Sequence, residues 1–124
     1  MDEFRVLYVD DEADIREVAA ISLELDPALD VRVCASGQEA LSEAAAWQPN
    51  LILLDLMMPG LDGAETMARL RASDRTAAIP VVFVTARTQR YEIERLLSLG
   101  AMGVIAKPFE PIELAPQVRR YLGG

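Results

Sequence analysis

Leu51-Ile52-Leu53-Leu54-Asp55-Leu56-Met57-Met58-Pro59-Gly60 runs four aliphatic residues straight into a carboxylate and then into a Pro-Gly turn. An apolar run without polar alternation, closed by turn residues, has the pattern of a strand buried on both faces, as found in parallel sheets. Asp55 then stands at the C-terminal lip of that strand. Ligands of open α/β sheets bind at that edge, so an acid there is placed for chemistry, whereas one turn earlier it would be a costly buried charge.

Working outward, Phe4-Arg5-Val6-Leu7-Tyr8-Val9 reads as a first strand that ends on Asp10-Asp11-Glu12. A helix follows with Ile15, Val18, Ala19 and Leu23 on its inner face, and Asp26-Pro27 stops it. Val31-Arg32-Val33-Cys34 is a short second strand. Ser36-Gly37-Gln38-Glu39 has the Ser-x-x-Glu spacing of a capping box and opens a helix through Trp47, which Pro49-Asn50 ends. Beyond the Asp55 strand, Asp62-Gly63-Ala64-Glu65 starts a third helix with Ala64, Met67 and Leu70 as its buried stripe. Pro80-Val81-Val82-Phe83-Val84 is a fourth strand ending on Thr85. Thr88 is the expected cap of a fourth helix whose Ile93, Leu96 and Leu97 face inward, with Gly100 just past its end. Ala101 to Ala106 is the fifth strand, ending on Lys107-Pro108, and a last helix runs from about Pro111 to Leu122. Pro111 suits a first helical position, but Pro116 removes a backbone donor inside the helix, so a kink or a late regular start is expected. Strands alternating with helices through short connections specify an α/β fold, a doubly wound five-stranded parallel sheet with five helices.

Composition bounds the chemistry. The 124 residues suit one domain over 1–124, 52% hydrophobic and only 6% aromatic, hence with an aliphatic core. Twelve Lys and Arg against twenty Asp and Glu give a net charge of −8, which argues against a direct nucleic-acid surface. Cys34 is the single cysteine and His is absent, so a disulfide within the chain, a Cys-based zinc site and imidazole catalysis are all excluded. The acidic start Met1-Asp2-Glu3-Phe4-Arg5 lacks the order of a signal peptide, and no apolar run approaches membrane-spanning length. The expectation is a cytoplasmic chain without a membrane partner.

Asp10 and Asp11 end strand 1, Asp55 strand 3, Thr85 strand 4 and Lys107 strand 5, all on one edge of the sheet. If strands 1 and 3 are neighbours, as in the order 2-1-3-4-5, their tips lie about 5 Å apart. Three carboxylates at that range repel one another unless a cation sits between them. Oxygen-only ligands select a hard divalent ion, and a site with few protein ligands suits Mg2+.

Asp10-Asp11, Asp55 followed by Met-Met-Pro-Gly-Leu-Asp-Gly, Thr85-Ala86 and Lys107-Pro108-Phe109 resemble the full motif set of the bacterial response-regulator receiver domains, over essentially the whole chain. The resemblance implies a flavodoxin-like fold and a phosphoryl-accepting switch in a two-component phosphorelay. Asp55 would attack the phosphohistidine of a sensor histidine kinase or phosphotransfer protein and become an aspartyl phosphate. Asp10 and Asp11, with Asp11 the more direct ligand, would hold Mg2+ together with Asp55 and the Met57 carbonyl. Lys107 would pair with a phosphoryl oxygen, or with Asp55 in the unmodified state, and Thr85 would donate its hydroxyl to another phosphoryl oxygen. The Lys107-Pro108 bond is expected to be cis. Catalysis would be limited to the domain's own phosphorylation and dephosphorylation.

Plainer roles compete at several positions. Glu12 and Asp14 are read as complementing a helix N-terminus, Asp62-Gly63 as turn and cap, and Met57, Met58, Trp47 and Tyr91 as packing. Met57 is also close enough to Asp55 in sequence to limit water access. Many receivers carry an aromatic residue three positions before the lysine, where this chain has Val104, so a signal would pass through Thr85 and backbone shifts instead. Arg87 is long enough to reach over the site. Phosphohydrolases of the haloacid-dehalogenase type need a second acid two residues after the nucleophile, which neither Asp55-Leu56-Met57 nor Asp10-Asp11-Glu12 supplies. A phosphate-independent interaction module would be expected to have lost an acid or the lysine. The chain reads as a whole regulator acting on an effector protein, or as one part of a longer regulator or hybrid kinase with an output domain. Ile15 and Arg16 are candidates for partner contact, and a monomer is expected without phosphate.

Overall fold

The computed structural model describes residues 3–123, so the Met1-Asp2 start and the terminal Gly124 lie outside the described residues. Along the chain run β1 (Phe4–Val9), α1 (Ala13–Glu24), β2 (Leu29–Cys34), α2 (Gly37–Trp47), β3 (Leu51–Asp55), α3 (Gly63–Arg71), β4 (Val81–Thr85), α4 (Arg90–Ser98), β5 (Gly103–Ala106) and α5 (Pro111–Leu122). The strands form one parallel sheet in the order β2-β1-β3-β4-β5. All five residues of β3 are buried, as expected of a central strand covered on both sides.

Strand periodicity divides the core into two layers. Leu7, Val9, Ile52, Leu54, Val81 and Phe83 pack with Ala40, Ala44, Met67, Leu70 and Leu96, under α2, α3 and α4. Val6, Tyr8, Leu51, Leu53, Val82, Val84 and Ile105 point the other way, onto Ala19, Leu23, Leu114 and Val118 of α1 and α5. Register then fixes the functional edge. Val9 pairs with Leu54, Asp55 with Val84 and Thr85 with Ala106, so Asp10, Asp55, Thr85 and Lys107 leave neighbouring strands at nearly the same level.

Local signals explain most boundaries. Asp62 and Glu65 form a reciprocal capping box that starts α3. Gly63 lies against the end of β3, where a Cβ would stand 2.5 Å from the Asp55 carbonyl oxygen, so only glycine lets α3 begin directly beneath the Asp55 strand. At the end of α4, Gly100 has φ +108°, and the N–H groups of Gly100 and Ala101 donate to the carbonyls of Leu97 and Leu96, a Schellman closure.

Several expectations need correction. Ser36 caps α2 by accepting the Glu39 N–H, but the Glu39 carboxylate takes the Ala35 N–H, so the capping box is incomplete. Gln48 adopts a left-handed conformation at the end of α2 and donates its side-chain amide to Arg75 across the gap. Val18 is 42% exposed; α1 turns Ile15, Ala19, Ser22 and Leu23 inward and leaves Val18 at the edge of that stripe. β2 begins at Leu29, because Phe4 and Leu29 already pair, and β5 begins only at Gly103, because Ala101 serves the α4 closure. Gln89, not Thr88, precedes α4, without a side-chain cap bond, and Leu97 is exposed. Tyr91 is 64% exposed and therefore no packing residue, whereas Trp47 is packed and lies under the Arg32 guanidinium. The last helix starts regularly at Pro111 and continues through Pro116. No helix among the described residues is long and apolar enough to cross a membrane.

Candidate functional site

Asp10 continues directly from β1, Asp55 is the last residue of β3, Thr85 the last of β4, and Lys107 the first after β5. Together with Glu12, Met57, Ala86 and Pro108, the residues Asp55, Thr85 and Lys107 line an open cleft of about 360 Å³ at the C-terminal edge of the sheet. Asp10, Asp11 and Asp55 each bring a carboxylate oxygen within 4.8 Å of the others. Asp10 is fully buried, Asp55 is 4% exposed and Asp11 faces solvent. An all-oxygen donor set of this kind, open to water on the Asp11 side, fits Mg2+.

The cation of the protein itself is Lys107. Its Nζ lies 2.8 Å from Asp10 Oδ2, 3.4 Å from Asp55 Oδ2 and 3.8 Å from Glu12 Oε1. The expected pairing with Asp55 is present, but Asp10 is the nearer partner, and Glu12 does more than complement a helix terminus. Burial works against the Lys107 ammonium, yet its hydrogen bond to Asp10 and the charges of Asp55 and Asp10 outweigh that and hold its pKa above the ordinary lysine value. Burial first, and then the charge of Asp10, push the Asp55 carboxyl up to about 6, against the opposing pull of Lys107 and of the Met57 N–H. One ammonium therefore does not compensate the acids gathered here, which is the electrostatic condition for holding a further cation.

The carboxylates of Asp55 and Asp10 are also oriented by hydrogen bonds. Met57 N–H donates to Asp55 Oδ1 at 3.3 Å. Asp10 Oδ1 accepts the Glu12 N–H at 3.0 Å, and Oδ2 accepts the Tyr8 hydroxyl at 3.1 Å besides Lys107. The Arg16 guanidinium donates to the Asp10 backbone carbonyl at 2.8 Å, so Arg16 braces the site loop from α1, while Ile15 packs against the core; both are half-buried and keep part of their surface at solvent. Tyr8 and Arg16 were not foreseen as part of the site. The signal for Tyr8 was its place two residues before Asp10, which puts both on one face of β1.

The remaining expectations distribute as follows. Thr85 is almost wholly buried, its Oγ accepts the Arg87 N–H at 2.9 Å, and among the described residues its own O–H is not used as a donor. Met57 is exposed at the cleft and Met58 is buried, so only Met58 is a packing residue. Arg87 does not line the Asp55 cleft; it borders a neighbouring hollow with Thr88, Gln89, Tyr91 and Glu92. Val104 is half-buried against the α2–α3–α4 layer. The Lys107-Pro108 bond is cis. Burial and then Glu39 and Glu43 push the Cys34 thiol up to about 12, which leaves it without thiolate chemistry.

The family model of the response regulator receiver domain matches residues 6–119. The chain belongs to the response-regulator receiver domains. It is 38% identical over 118 residues, 95% of the chain, to the DNA-binding response regulator MtrA of Mycolicibacterium paratuberculosis. It is 37% identical over 117 residues, 94% of the chain, to the phosphate regulon transcriptional regulatory protein PhoB of Pseudomonas aeruginosa. The receiver spans about half the length of these relatives, 51% of each. Among solved structures, the chemotaxis response regulator CheY4 of Vibrio cholerae superposes with a TM-score of 0.87 at 29% identity, covering 96% of this chain and 98% of that one. Phosphorylation-dependent signalling is the standard function of the family, and its members typically use Mg2+.

Proposed function

We propose that this receiver accepts a phosphoryl group on Asp55 from the phosphohistidine of a sensor histidine kinase or phosphotransfer protein, and that the modification controls an effector protein or an output domain. The observation that carries this reading is the constellation at one sheet edge: Asp55 between Lys107 and two further acids, inside a cleft that Thr85 also lines. Asp55 supplies the nucleophilic oxygen, the P–N bond breaks, and the imidazole nitrogen keeps its electron pair. With its carboxyl at about 6, Asp55 is largely ionised at neutral pH and ready to attack.

Asp10, Asp11, Asp55 and the Met57 carbonyl are the ligands we assign to Mg2+. When bound, the ion compensates charge on the transferring oxygens. Lys107 reaches a phosphoryl oxygen by releasing its carboxylate partners, and the Thr85 hydroxyl donates to another. The same groups support phosphorylation by a small phosphodonor and hydrolysis of the product. The receiver works as one domain in the cytoplasm, and its net charge of −8 directs any action on DNA to an output domain, by analogy with the DNA-binding MtrA.

The test is intact mass after incubation with acetyl phosphate, with and without Mg2+, on the chain and on Asp55→Asn. A single Mg2+-dependent phosphoryl adduct that is missing from the variant is the expected result. A folded, Mg2+-binding chain that takes no adduct overturns the proposal.

A further inference from the structure

Tyr8 is a fully buried residue of β1, and its ring contributes to the α1–α5 layer as an aliphatic side chain could. What the hydroxyl adds is one bond, donated to Asp10 Oδ2 at 3.1 Å. The ring has little freedom to place that donor elsewhere, being enclosed in the core with its neighbour Phe109 edge-on at a centroid distance of 6.4 Å. Asp10 Oδ2 also accepts Lys107, and Oδ1 accepts the Glu12 N–H. Of these three donors, Lys107 is shared with Asp55 and Glu12 and is the group that must move toward a phosphoryl oxygen. Tyr8 is the side-chain donor whose position does not depend on that movement.

We propose that Tyr8 is a positioning residue for the divalent-cation site: its hydroxyl holds the Asp10 carboxylate in the orientation in which Asp10, Asp11 and Asp55 face one ion. The inference rests on the reading of those three acids as the Mg2+ site. Outer-shell hydrogen bonds to ligating groups fix their orientation, and their loss typically weakens metal binding about 10- to 100-fold. Asp10 keeps two of its three donors without the hydroxyl, which places the expected loss at the lower end.

The experiment uses the full chain and Mg2+ alone as the probe. Tyr8→Phe preserves the ring, and Mg2+ titration calorimetry is expected to show about tenfold weaker binding. Unfolding in EDTA establishes that the variant is folded; Tyr8→Leu removes the same hydroxyl should the phenylalanine variant prove unstable. The initial rate of phosphorylation by acetyl phosphate should fall at low Mg2+ and recover at saturating Mg2+, because Asp55, Thr85 and Lys107 are untouched. A merely structural role for Tyr8 gives no such recovery. Tyr121→Phe, which removes a hydroxyl packed over Gly103 of β5, should bind Mg2+ like the wild type. Equal affinities in wild type and Tyr8→Phe overturn the inference and leave the metal site standing. Weakened binding without recovery of the rate also overturns it, and a wild type that binds no Mg2+ removes the site and the inference together.

Discussion

Asp55 is the residue at which the energetic conflict of this fold is concentrated. Its carboxyl moves from 3.8 to about 6 through burial and the Asp10 charge, so the folded state holds that proton more tightly than the unfolded chain does. Stability from this residue is complete below pH 4 and is lost as pH rises through about 6, a change on the order of 3 kcal/mol. Lys107, whose pKa is raised, adds nothing to that window, because its contribution is lost only at alkaline pH. In metal-free buffer, Asp55→Asn should therefore flatten the stability profile between pH 4 and 6 and be more stable than wild type at pH 7, by about 1–3 kcal/mol. Urea unfolding across that pH range in EDTA checks this, and parallel profiles for the two proteins would sink it. The place of Asp10, Asp11, Asp55, Thr85 and Lys107 at the sheet edge was legible in the sequence because an apolar run ahead of each fixes a strand end there. The preference of Lys107 for Asp10, and the bonds from Tyr8 and Arg16, were not legible. They depend on side-chain paths between elements that no spacing along the chain encodes.

Among the elements, α5 departs most from its sequence pattern. Pro116 is the sixth helical residue, beyond the first turn where a missing N–H is harmless, so the Ile112 carbonyl has no i+4 donor. The helix nevertheless continues, because Leu114, Ala115 and Val118 are buried against the sheet and α1 while Pro116 faces solvent. Tertiary packing outweighs a propensity penalty of about 3 kcal/mol. Pro116→Ala should thus restore the bond without opening a cavity. Part of the gain, about 0.4–1 kcal/mol, is offset by the freer unfolded chain, which leaves a net stabilisation of about 2 kcal/mol. Thermal unfolding reads it, and an unchanged or lower Tm means that Pro116 fits this helix without cost. The same contest explains which boundaries were readable. Asp62-Gly63 and Gly100 carry their own capping chemistry, whereas the start of β2 at Leu29 and the inner face of α1 are set by neighbouring elements.

For the molecule as a whole, alternating strands and helices fix a parallel sheet with two helical layers, but alternation alone leaves the strand order open. The acids come together only if β1 lies beside β3, and the pairing of Val9 with Leu54 shows that it does. That order collects negative charge at one edge of a chain that already carries −8, and among the described residues Lys107 is the cation that pairs with those carboxylates. Such an arrangement is held by the fold against its own repulsion, and the unfolded chain has no equivalent site. An ion that binds only the folded state stabilises it by mass action, by about 2.7 kcal/mol when free ion is 100 times its Kd. The Tm should accordingly climb with Mg2+ and return on adding EDTA, while NaCl at matched ionic strength, which acts only by screening, gives a smaller rise. Asp11→Asn should lose most of the Mg2+-dependent rise, because it removes the solvent-facing carboxylate of the proposed site. Glu12→Gln should retain it, because Glu12 reaches Lys107 and is not one of the three clustered carboxylates. Equal rises with NaCl and Mg2+ would mean that the edge responds to ionic strength and holds no ion of its own.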